Sequence, residues 1–71
     1  MYQTLRNLRK KQGYTTQDMA EKLGISKPFY SQIENQARKL SYDMAIKIAD
    51  IFHKKPDQIF LVDHKNENES K

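Results

Sequence analysis

A chain of 71 residues makes one small domain with a modest core, since a chain this short buries only roughly 60% of the surface its unfolded form exposes. It has no cysteine, which excludes a disulfide framework and a thiolate zinc site, and no apolar run long enough for a membrane span or a signal peptide, so a soluble, cytoplasmic protein is expected. The net charge of +4 is uneven: residues 1–62 carry 11 Lys/Arg against 6 Asp/Glu, a balance that suits a polyanion such as nucleic acid.

The first helix falls within residues 2–12. Leu5 and Leu8 share one face with Tyr2 near it, and Arg6, Arg9, Lys10 and Lys11 fill the other positions. Gly13 follows where a left-handed cap belongs. Thr15-Thr16-Gln17-Asp18 has the form of a capping box, with Asp in place of the usual Glu or Gln. A second helix then turns Met19, Ala20 and Leu23 to one side and ends at Gly24. Ser26 caps a third helix, residues 26–36, and Pro28 lies in its first turn, where a missing N–H costs nothing.

Ser41 caps a fourth helix, 42–53, whose expected core stripe is Tyr42, Ala45, Ile46, Ala49 and Phe52. Pro56 opens a fifth, running through Ile59 and Phe60 toward Val62, with Lys55 as a poor cap. The run 59–62 is too short to decide between helix end and strand. Residues 63–71 are polar and aperiodic, and are expected to form a disordered tail behind a domain of residues 1–62.

Several requirements of one motif coincide between Thr16 and Asn35. Ala20 is small enough for two helices to approach closely. Gly24 supplies the positive φ of a tight turn. Ile25 can plug the gap behind that turn, and Tyr30 and Ile33 point one face of the third helix inward. At this spacing the set reads as a DNA-binding helix-turn-helix.

The chain resembles the Cro/phage-repressor helix-turn-helix family, also called the xenobiotic-response-element family. The resemblance rests on Leu5-x-x-Leu8-Arg9, Gly13, Met19-Ala20-x-x-Leu23-Gly24-Ile25-Ser26, Ile33-Glu34-Asn35, Ile48-Ala49 and Ile59-Phe60, and covers about residues 4–60. It implies an all-α, five-helix, lambda-repressor-like domain and a sequence-specific regulator of transcription that binds double-stranded DNA, usually as a dimer. It also implies that Arg9 and Glu34 pair, tying the first helix to the end of the third. Four positions depart from the family pattern. Thr16 replaces a Gln that touches the DNA backbone, Gln36 and His53 replace glycines, and Leu40 replaces a proline; either the turn is kept and Gln36 bears the left-handed penalty, or the loops at 36–40 and 53–55 are shifted.

Rotation about the third helix from Ile33 sends Lys27, Pro28, Ser31, Gln32 and Asn35 outward. The N-terminal residues of such a helix reach base edges. Lys27 can donate to guanine O6/N7, Gln32 can pair with adenine N6/N7, and Pro28 offers apolar contact. Phe29 lies at the border, with core packing and thymine-methyl contact both open. Thr16, Gln17, Ser31, Asn35, Arg38 and Lys39 are the expected backbone contacts. Lys10 and Lys11 read equally well as a solvated face. Met44, Ile48 and Ile51, with Phe60, Leu61 and Val62, form the expected homodimer surface. Two such helices would then meet a palindromic operator, a repressor being the expected direction.

Catalysis is not expected. The two histidines, His53 and His64, fall in a helix-end loop and the tail, and no metal-ligand spacing, nucleophile elbow or phosphate loop is present. No cofactor, membrane or small-molecule ligand is expected. The alternative is an antitoxin or partner-controlled interaction module of the same fold.

Overall fold

The computed structural model describes residues 1–61; Val62 of the expected dimer surface and the tail 63–71 lie outside the described residues. Four α-helices, α1 (Gln3–Lys11), α2 (Thr16–Leu23), α3 (Lys27–Glu34) and α4 (Tyr42–Ile51), are followed by a short π-wound terminal helix, Asp57–Leu61. The described residues contain no strand, and the run at 59–61 is helical.

Hydroxyl caps start three of the helices. Thr15 and Asp18 make both bonds of a capping box, Asp18 N to Thr15 Oγ1 at 3.0 Å and Thr15 N to Asp18 Oδ2 at 2.9 Å, so Asp reaches as far as the usual Glu. Ser26 and Ser41 each accept from the backbone N–H three residues on, at 3.2 Å. The terminal helix is tied from the other direction: Gln58 Oε1 accepts from Lys55 N at 2.8 Å, which compensates for the poor side chain at the cap.

All four α-helices end with one device, a left-handed residue whose N–H, with that of the next residue, reaches back to the last carbonyls. Gly13 and Gly24 occupy this position in α1 and α2, at φ 77° and 70°. After α3 and α4 it falls to Gln36 and His53, at φ 60° and 56°. Gln36 N donates to Ile33 O and Ala37 N to Gln32 O; His53 N donates to Asp50 O and Lys54 N to Ala49 O. Loss of the family's glycines has therefore left the left-handed conformation in place, and these two residues bear its steric cost.

Leu5, Met19, Ala20, Tyr30, Ile33, Ile48, Ala49, Phe52 and Ile59 form one buried cluster. The α4 stripe differs from the one expected. Ala45, Ile48, Ala49 and Phe52 are buried, Ile46 is half-buried, and Tyr42 is 75% exposed. Positions 45, 48, 49 and 52 follow the i, i+3, i+4, i+7 rule as well as the expected set does, and packing against α2 selects between them. Ile48 is 0% exposed within a single chain, which removes it from the expected dimer surface.

Candidate nucleic-acid interface

The α2–α3 pair packs more extensively than any other pair of helices. Ala20 is fully buried, and Leu23 and Ile25 pack against the cluster behind the Gly24 turn. Gly24 N bonds to Glu21 O and Ile25 N to Ala20 O, which fixes the angle between the two helices. On α3, Tyr30, Ile33 and Glu34 are buried, while Lys27, Pro28, Gln32 and Asn35 are exposed and Ser31 is half-buried. The first turn of α3 therefore projects from the molecule.

Arg9 and Glu34 hold α3 from behind. Arg9 Nε and Nη2 donate to Glu34 Oε2 and Oε1 at 2.9 and 3.0 Å, and Arg9 Nη1 donates to Tyr14 O at 2.9 Å. Both residues are buried. The hydrogen bonds to Glu34 push the Arg9 pKa upward. The Tyr30 hydroxyl is buried beside this pair, and among the described residues it makes no well-formed hydrogen bond. Burial first, and then the Glu34 carboxylate, push its pKa well above the usual phenol range. A further tie comes from Tyr2, whose N–H donates to Glu34 O at 2.9 Å and whose ring meets Phe60 edge-on at 4.9 Å. The terminal ammonium of Met1 donates to Gln36 Oε1 at 2.6 Å.

The expected contact residues fall into two groups. Thr16, half-buried, and Gln17, exposed, stand at the N-terminus of α2, where free N–H groups point outward. Lys27, Pro28, Ser31, Gln32 and Asn35 line the outer face of α3, and Asn35 Nδ2 donates weakly to Ser31 Oγ at 3.4 Å. Phe29 is half-buried against the core, and a cation covers its ring.

That cation is Arg38. Its guanidinium carbon lies 4.5 Å from the centre of the Phe29 ring, and its Nε donates to Gln32 Oε1 at 3.0 Å. Sequence reasoning placed Arg38 beyond the helix and missed this return. The signal was indirect: a left-handed residue at 36 reverses the chain and sends residue 38 back over α3. Lys39 stays exposed.

Of the expected partner surface, Met44, Ile51 and Phe60 are half-buried and pack against the core, while Leu61 is 52% exposed. Among the described residues no group of three or more His, Cys, Asp or Glu side chains is placed to hold a metal ion, and no helix is long and apolar enough to cross a membrane.

A family model described as "Helix-turn-helix" matches residues 5–59. The chain is also 41% identical over 59 residues to a Pyrococcus furiosus protein named "Putative HTH-type transcriptional regulatory protein". That alignment covers 79% of this chain and 19% of the relative, so the chain spans about a fifth of the relative's length. No solved structure gives a significant match. With the capped α2–α3 pair, the Gly24 turn and a family match over most of its length, the chain belongs to the Cro/C1-type helix-turn-helix family.

Proposed function

We propose that this chain binds double-stranded DNA as a sequence-specific regulator of transcription, with α3 in the major groove. The observation that carries this reading is the two-sidedness of α3: Tyr30, Ile33 and Glu34 anchor it, while Lys27, Pro28 and Gln32 are exposed. A helix fixed on one side and polar on the other presents base-reading groups in a set orientation. The exposed N-terminus of α2, at Thr16 and Gln17, is placed to clamp a neighbouring phosphate. The net positive charge supplies the sequence-independent part of the affinity.

In the finer reading the protein is a homodimeric, cytoplasmic repressor on a palindromic operator. Leu61, with Phe60 beside it and Met44 and Ile51 on α4, is the surface for the second copy. Repression by occlusion requires binding alone, whereas activation requires a further contact with the transcription machinery. The test is selection of bound sequences from random duplex DNA, followed by a salt titration. A palindromic consensus with at least about a thousandfold preference over random duplex is expected. A flat selection with a steep salt slope would reduce the activity to non-specific binding.

A further inference from the structure

We propose that Gln32, Arg38 and Phe29 act as one reading unit that recognises guanine, and that Arg38 is a specificity-determining residue rather than a general phosphate anchor. This rests on the DNA-binding reading above and extends it to base choice. A guanidinium carries donors only, so the Gln32 atom facing Arg38 Nε at 3.0 Å must be its carbonyl oxygen. To read adenine through N6 and N7, glutamine needs that oxygen free to accept from N6. Here one of that oxygen's two lone pairs is taken by Arg38, which ties the acceptor to the guanidinium and leaves both N–H donors of the Gln32 amide to a partner. Arg38 adds its Nη groups to the same patch, and its guanidinium carbon lies 4.5 Å from the centre of the Phe29 ring, a cation–π contact that holds the side chain over α3.

The combined unit therefore presents mostly donors, the Gln32 NH2 and the Arg38 Nη groups, around one oxygen already shared with Arg38. Its complement is a pair of acceptors on one edge, which guanine offers through O6 and N7 and adenine does not. Phosphate oxygens are also acceptors, so the two sources must be separated. Location favours the base. Gln32 is on the exposed outer face of α3 beyond its first turn, and Arg38 is bonded to it there.

The experiment starts from the selected consensus duplex. Each guanine is replaced in turn by 7-deazaguanine, which lacks the N7 acceptor, and affinity is measured for the wild type, Arg38→Lys and Gln32→Ala. Arg38→Lys keeps the charge but loses the planar fork. One guanine per half-site is expected to show a penalty of about five- to a hundredfold in the wild type. That penalty should collapse in Arg38→Lys, which still binds with a similar salt slope, and shrink in Gln32→Ala. Both residues are exposed, and an unchanged urea midpoint confirms that the variants fold. A consensus in which every guanine penalty survives Arg38→Lys, or in which Gln32 selects adenine independently of Arg38, overturns the unit while leaving sequence-specific binding intact. Absence of any consensus overturns the DNA-reading function itself, and this inference with it.

Discussion

Arg9 and Glu34, 25 residues apart, meet in a two-pronged pair at 2.9 and 3.0 Å, almost wholly out of water. The pair joins α1 to the last residue of α3. Its value lies in what happens when half of it is removed. Arg9→Met leaves a buried carboxylate and Glu34→Leu leaves a buried guanidinium, and either is expected to cost about 3–5 kcal/mol. The double variant should lose less than the sum, because no charge is stranded. Urea unfolding of the four proteins measures this; single costs below about 1 kcal/mol would mean the pair behaves as a solvated one.

Beside the pair, the Tyr30 hydroxyl is desolvated, and among the described residues it makes no well-formed hydrogen bond. Tyr30→Phe should therefore be neutral or stabilising by up to about 1 kcal/mol at pH 7. The pH dependence has a definite sign. The folded pKa is raised above the ordinary phenol value of 10.0, so the unfolded chain loses this proton first. Stability is full below about pH 10 and falls as pH rises above it, by up to about 1.4 kcal/mol per unit from this residue. Urea midpoints between pH 9 and 11 should decline more steeply in the wild type than in Tyr30→Phe. Parallel declines would locate alkaline instability elsewhere.

How much of this was legible in the sequence depends on the range of the interaction involved. Caps at Thr15, Ser26 and Ser41 were readable because a cap is settled within three residues. The Gly24 turn and the inward set Met19, Ala20, Tyr30 and Ile33 were readable for the same reason, as local spacing. Tyr42 and Ile48 were misplaced because two overlapping stripes on α4 satisfy the same period, and only tertiary contact chooses between them. The Gln58 bond to Lys55 was overlooked because it is the half of a capping box that the C-terminal partner supplies. Arg38 was missed because its position follows only once Gln36 is given the left-handed conformation usual for glycine and the chain is carried on from there.

His53 shares that conformation with Gln36 and offers the cleaner test. It is exposed at φ 56°, its N–H completes the end of α4, and among the described residues its side chain makes no hydrogen bond. A left-handed backbone costs a residue with a Cβ about 1–2 kcal/mol, and glycine returns part of that through the greater freedom of its unfolded state. His53→Gly is expected to stabilise by about 0.5–1 kcal/mol, raising Tm by several degrees, with Asn intermediate and Ala no better than His. A loss of stability in the glycine variant would show that the imidazole contributes more than the backbone strain takes away.

The partner surface yields the last prediction. Ile51 is a poor probe of it, because it is half-buried against the core and a charge there would disturb the monomer as well. Leu61 is the better site: it is 52% exposed, and its surroundings include Tyr2, Pro56, Phe60 and the exposed Tyr42. Leu61→Lys should change monomer stability by no more than about 0.5 kcal/mol. If a second copy covers this face, the charge must be buried against an apolar neighbour, and self-association should weaken at least about tenfold. Operator binding should weaken with it, since each recognition helix would then bind its half-site without the other. Sedimentation equilibrium and a duplex titration on the same samples measure both effects. A wild type that remains monomeric at all concentrations, with operator affinity unchanged by Leu61→Lys, would remove dimerisation through this face.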